Sequence, residues 1–259
     1  MLFDTHAHYY VSAFDADRDQ VLSSLPEAGV GLVLVPGCDL PSSRQAIELA
    51  ERYPFVYAAA GIHPEDALGL PEDWLEQVEE MTKHPRVKAI GEIGLDYYWK
   101  EVPRDLQKEV FRAQLALAKE LDLPVIVHDR EAHADSLAIV KEFPGVRGVF
   151  HCYSGSVEDA RTLVKWGWHL SFTGTITFKN ARKAPEVIAA VPMERLMVET
   201  DAPYMAPVPF RGRRCDSRYV YRMAETIAEI KGLSREEVER ITTENGMRLF
   251  DISTPEGGM

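Results

Sequence analysis

Residues 2–10 read LFDTHAHYY, and the two histidines one residue apart raise a chemical question. In a β-strand alternate side chains share a face, so His6 and His8 are expected to point to one spot, with Asp4 before them on the same face. Similar polar residues recur where short apolar runs end: His63 after Gly61, Glu92 after Gly91, His128 after PVIV, His151 after VRGVF, and Asp201 in ETD. Neutral imidazoles and carboxylates both offer lone pairs to a divalent cation. Any one of these residues has an ordinary packed or solvated role open to it. The set has metal chemistry open to it if the fold gathers it.

The elements that would gather it are legible. Strand patterns fall at 2–6, 30–36, 55–61, 86–92, 124–129, 146–152, 168–174 and 195–201. Amphipathic stretches separate them. The stretch near 103–122 places Leu106, Val110, Ala113, Leu117 and Leu121 on one face, and that near 217–231 aligns Val220, Met223, Ile227 and Ile230. Gly232 is expected to end the latter helix, and Ser234 with Glu237 has capping-box spacing for a final one. Eight strands alternating with helices spell a parallel sheet, and eight is the number that closes into a (β/α)8 TIM barrel, so the fold class is α/β. No G-x-G-x-x-G follows the first strand, which disfavours an open dinucleotide-binding sheet. We expect one domain over 1–252 and a short flexible tail at 253–259.

Barrel active sites lie at the C-terminal ends of the strands. Five of the eight histidines fall there, whereas His84, His133 and His169 do not. Six ligands (His6, His8, Glu92, His128, His151, Asp201) exceed what one ion usually takes, so two divalent ions about 3.5–4 Å apart are expected. Glu92 would bridge, His6, His8 and Asp201 would hold one ion, and His128 with His151 the other. Four imidazoles suit Zn²⁺ among other metals.

Composition narrows the function. With 46% apolar and 27% charged residues the chain reads as a soluble globular protein. It shows no signal-peptide pattern and no run long enough to span a bilayer. Three unpatterned cysteines suit a reducing compartment, so a cytoplasmic enzyme is expected. The net charge of −12 argues against coating nucleic acid by charge alone. The local exceptions are Lys179, Arg182 and Lys183 after the seventh strand and Arg211, Arg213, Arg214 and Arg218 after the eighth, where barrels often bind phosphate, with Arg130 after the fifth. Tyr97, Tyr98 and Trp99 follow the fourth strand, where aromatic rings stack on a base or pack as a lid.

The ordered motifs FDTHAH, GIHPED, AIGEIGLDYY, PVIVHDREAH, FHCYSGS and ETDAPY resemble the TatD family of metal-dependent deoxyribonucleases over essentially the whole chain. The resemblance implies a two-metal hydrolase of DNA, a 3′→5′ exonuclease on single-stranded ends using Mg²⁺ or Mn²⁺, with no obligate protein partner. It places ligands on the six positions above. Asp201 and Glu92 would serve the chemistry, His63 would contact phosphate or protonate the leaving oxygen, and Glu199 is either a further functional acid or a buried carboxylate supporting a ligand. Arg130, Arg211, Arg213, Asp96 and Tyr97 are the expected substrate contacts, with loop shaping equally open to Asp96 and core or lid packing to Tyr97. Two departures stand out: Cys215, Asp216 and Ser217 replace an Asn-Glu-Pro run, and Glu65 stands where the family often has histidine. The rivals are an amide, lactone or phosphotriester hydrolase on the same barrel and a non-catalytic scaffold. Glu92 disfavours the first, since many such barrels bridge with a carboxylated lysine, and a complete ligand set disfavours the second.

Overall fold

The computed structural model describes residues 1–253, so the expected tail lies outside them except for Ser253. The strands are β1 (Leu2–Asp4), β2 (Val30–Pro36), β3 (Val56–Ala60), β4 (Val87–Asp96), β5 (Val125–Arg130), β6 (Gly148–Phe150), β7 (His169–Phe172) and β8 (Leu196–Val198). The helices are α1 (Arg18–Ser24), α2 (Leu40–Arg52), α3 (Trp74–Thr82), α4 (Arg104–Leu121), α5 (His133–Glu142), α6 (Val157–Lys165), α7 (Lys183–Ala190), α8 (Tyr221–Lys231) and α9 (Arg235–Leu249). All strand pairs from β1–β2 to β7–β8 are parallel and sequential. Beyond the short ends of β1 and β8 the circle is completed by backbone bonds, Thr5 N to Val198 O (3.3 Å), Asp201 N to His6 O (2.9 Å) and His8 N to Ala202 O (2.7 Å). The seam of the barrel is thus made by the residues expected to bind metal.

Strand alternation divides the core in two. Phe3, Leu32, Leu34, Ala59, Ala89, Ile126, Val149 and Met197 form one cluster, which Leu249, Phe250 and Ile252 join from the end of α9. The larger cluster, including Leu2, Val33, Val35, Val56, Ile90 and Val127 with helix residues such as Phe111 and Leu163, fills the layer between strands and helices. The expected caps are present: Ser234 and Glu237 form a capping box on α9, and Gly232 ends α8 at φ 67°. No helix among the described residues is long and apolar enough to cross a membrane.

Two departures from the sequence reading bear on the site. β4 does not end at Glu92 but runs on to Asp96. Between Ile90, opposite Val125, and Ile93, opposite Val127, it spends three residues against two of β5, so Glu92 sits in a bulge that re-aims its side chain. The bulge needs space: a Cβ on Gly61 would lie 2.9 Å from the carbonyl carbon of Gly91, and one on Gly91 would lie 2.8 Å from Ile126 Cβ. The second departure concerns Asp4. It is a buried carboxylate at the end of β1 that accepts His6 N at 3.4 Å and is not among the residues around Glu92. It also accepts Thr200 N (2.8 Å) and Thr200 Oγ1 (2.6 Å), tying β1 to the chain after β8.

Candidate metal centre

Glu92 is 2% exposed and its two oxygens face different imidazoles. Oε2 lies 3.1 Å from His6 Nε2 and 3.5 Å from His8 Nε2. Oε1 lies 2.7 Å from His151 Nε2, 3.0 Å from His128 Nδ1 and 3.6 Å from His63 Nε2. Asp201 Oδ1 closes the first side, 3.4 Å from His8 Nε2 and 3.8 Å from His6 Nε2. The structure therefore brings His6, His8, Glu92, His128, His151 and Asp201 to one mouth, and His63 with them.

The outer nitrogens fix which ring atoms are free. His128 Nε2–H donates to Asp96 Oδ2 at 2.9 Å, leaving Nδ1 bare toward Glu92. His8 Nδ1 meets the Tyr10 hydroxyl at 2.9 Å, and that hydroxyl donates to Cys38 Sγ at 3.2 Å, so the His8 proton belongs on Nδ1 and Nε2 is bare. His151 Nδ1 faces Glu199 Oε1 at 3.3 Å without the alignment of a hydrogen bond, and His6 Nδ1 is buried with no partner. A carboxylate or carbonyl partner on the far ring nitrogen is the usual way a ligand imidazole is oriented. His63 is the reverse case. Its Nδ1 accepts Glu65 N at 3.2 Å, so its proton sits on Nε2 and points into the site.

Ring nitrogens then face one another and carboxylate oxygen: His6 Nε2 and His8 Nε2 are 3.0 Å apart, and His128 Nδ1 and His151 Nε2 are 3.2 Å apart. Lone pairs at such distances repel unless protons or cations lie between them. This donor set fits divalent metal: the donor atoms of His6, His8 and Glu92 converge, as do those of His63, Glu92 and His128 and those of His6, His151 and Glu199. Without metal, protons take that place. Burial alone would raise the pKa of Glu92, but the surrounding imidazoles, His151 and His6 foremost, hold it well below the carboxylate range. Burial pulls His151 down, yet Glu92 and Glu199 carry it well above the usual histidine value. His63, pushed down to about 3 by burial and by His128, stays neutral.

The remaining expectations divide. Glu199 takes the supporting position: besides His151 it accepts Cys152 N at 2.6 Å and the Ser171 hydroxyl. Asp96, expected to touch substrate, is fully buried. Its other oxygen accepts Tyr98 N (2.9 Å) and Trp99 N (3.1 Å), so it holds His128 and shapes the loop. Tyr97 takes the packed one of its two open positions: its ring is buried, its hydroxyl donates to Asp135 Oδ2 at 2.5 Å, and Arg104 covers it at 4.1 Å. Tyr98 and Trp99 remain exposed, and Arg130 lies 4.0 Å from the Tyr98 ring centroid. Arg214 and Arg218 are committed to Asp17 and Asp216. Arg211 lies over Phe178 at 4.1 Å, and Arg213 is exposed. The sequence reading missed Tyr10 and Cys38. Tyr10 continues the His6, His8 alternation, and Cys38 follows β2 by two residues, at the same rim as the histidines; counting cysteines only for disulfides hid it.

A barrel with this donor set at its mouth defines a metal-dependent hydrolase. The chain belongs to the TatD-related DNase family, whose profile matches residues 3–251. It is 48% identical over 255 residues to the uncharacterized metal-dependent hydrolase YabD of Bacillus subtilis, covering 98% of this chain and 100% of that one. It is 34% identical over 262 residues to the 3′-5′ ssDNA/RNA exonuclease TatD of Pectobacterium parmentieri, covering 97% and 100%. Among solved structures, the TatD homologue YjjV of Escherichia coli superposes with a TM-score of 0.91 at 32% identity, over 97% of this chain and 98% of that one.

Proposed function

We propose that this chain hydrolyses phosphodiester bonds at the 3′ ends of single-stranded nucleic acid, DNA in the first instance, with two divalent cations bound at the barrel mouth. The observation that carries this is Glu92, whose two oxygens each face a separate group of imidazole nitrogens. The exonuclease named for Pectobacterium, similar over the full length, supports the substrate class.

His6, His8 and Asp201 would hold one cation and His128 with His151 the other, with Glu92 shared; Mg²⁺ and Mn²⁺ are the family's ions, and the imidazoles also suit Zn²⁺. When bound, such a pair polarises phosphoryl oxygens and acidifies water. The protein's own groups do the rest. His63 presents Nε2–H to the site and is placed to donate to a phosphate oxygen or to the leaving oxygen. Asp201, against His8, is placed to take a proton while holding metal or instead of it. Glu199 acts through His151 and the Cys152 amide as a positioning residue. Arg130, Arg211 and Arg213 lie farther out, where a trailing phosphate chain needs neutralising.

The test is a 5′-labelled single-stranded oligonucleotide incubated with Mg²⁺, Mn²⁺ or Zn²⁺. A ladder receding from the 3′ end is expected, absent in Glu92→Ala. Intact DNA under every metal, with turnover of an amide, lactone or phosphotriester, would move the chain to a small-molecule hydrolase.

A further inference from the structure

A cavity of about 280 Å³ opens beside the metal centre, lined by Glu65, Trp99, Glu101, Val102 and Gln107. It stands one short step from the chemistry: Glu65 follows His63 by two residues, and Gln107 holds the backbone of Asp96, which holds His128. Its walls have distinct characters. Trp99 is 46% exposed and stands edge-on to Tyr98, ring centroids 4.9 Å apart. The Gln107 amide accepts Asp96 N (2.9 Å) and spends both donors on Asp96 O (2.9 Å) and Val102 O (3.1 Å), so it forms a fixed floor with no N–H left to offer. Glu101 Oε2 accepts Lys100 N at 2.8 Å. The Glu65 carboxylate has no hydrogen bond or ion pair among the described residues.

We infer that this cavity is a nucleobase subsite, in which a base next to the scissile phosphate stacks on Trp99 and donates N–H groups to Glu65. This rests on the nuclease reading and names the specificity within it. The volume lies just under the ~300–1,000 Å³ of pockets for drug-sized ligands, which suits one base better than a whole nucleotide. Two carboxylates repel phosphate, so the backbone must pass outside, where Arg130 lies over Tyr98. A carboxylate accepts only. Among the bases guanine matches it best, since N1–H and N2–H stand side by side and reach both oxygens of one carboxylate. Glu65 stands where the resembling family often has histidine, so the preference belongs to this chain.

The test uses binding without turnover. Metal-stripped full-length protein in chelator is titrated with dGMP and with dTMP by calorimetry, for wild type, Glu65→Gln and Trp99→Ala. Wild type should bind dGMP at least about fivefold more tightly than dTMP. Trp99→Ala should weaken both by about fivefold or more, the lower end of what a stacked base contributes. Glu65→Gln should remove the difference while keeping the stack. Equal affinity of wild type for the two nucleotides, or a preference that survives Glu65→Gln, overturns the subsite. Both metal-stripped variants should keep the wild-type circular dichroism and melting temperature; a Trp99→Ala protein that loses both together with nucleotide binding assigns Trp99 a structural role and also overturns it. Should dGMP bind as expected while no oligonucleotide is cleaved, the subsite stands and the nuclease reading falls.

Discussion

Asp96→Asn removes one charge and one acceptor from a fully buried site and leaves the shape unchanged. In the native chain Asp96 Oδ2 requires the proton of His128 on Nε2, which frees Nδ1 for metal. Asparagine keeps Oδ1 for Tyr98 N and Trp99 N but presents an N–H₂ group to His128. Two responses are open. If the amide turns over, two partly buried backbone N–H groups meet an N–H₂ group in place of their acceptor, at about 1–3 kcal/mol each. If it stays, His128 must switch its proton to Nδ1, the atom facing Glu92 Oε1 at 3.0 Å, and ceases to ligate in that state. The second costs less. Disrupting the group that orients a ligand imidazole typically weakens metal binding 10–100-fold, about 1.4–2.7 kcal/mol. Titration of Mn²⁺ or Zn²⁺ into stripped wild type and Asp96→Asn by calorimetry should show that loss. The melting temperature of the stripped variant should move by only a few degrees, because the loop bonds persist, whereas Asp96→Ala should lower both. Native metal affinity in a folded Asp96→Asn protein would refute the assignment of Nδ1 as the ligand atom.

Glu92→Ala should abolish turnover and loosen both cations together while circular dichroism stays native; loss of only one of two metals, counted by elemental analysis, would deny the shared carboxylate. At the opposite end of the barrel, burial, with Arg195 and Arg248 nearby, pushes His169 down to about 4. Native His169 is thus neutral where the unfolded chain protonates, so stability is lost as pH falls from about 6.5 toward 4, by about 2 kcal/mol at pH 5. Denaturant titrations at pH 7 and 5 should show a shallower loss in His169→Gln, and parallel losses would reject the histidine as the cause. Gly61→Ala should drive the new methyl into the Gly91 backbone, destabilise by about 1–3 kcal/mol, and lower metal affinity by displacing Glu92; a stability loss with unchanged metal binding would separate the glycine contact from the site.

The eight strands, the barrel and the convergence of the histidines were legible because they depend on local patterns. β-branched runs alternate with helical periodicity, and polar residues stand where each run stops. The capping box at Ser234 and the stop at Gly232 are equally local, written within a few residues of the turns they make. What the sequence left open depends on neighbours distant along the chain. Asp96 reads as a loop acid until β4 proves four residues longer than its apolar pattern and brings it to His128, 32 residues on. Asp4 precedes His6 by two residues in sequence, but only closure of the barrel brings its carboxylate to Thr200, 196 residues on. Tyr97 and Trp99 are both aromatic residues after β4, yet one is buried under Arg104 and the other walls a cavity. Residue type and spacing determined which groups were available for chemistry. Which partner each outer ring nitrogen of His8 and His128 meets, and that Asp96 braces His128, was decided only by closure of the barrel, since a hydrogen bond across the mouth has no signature along the chain.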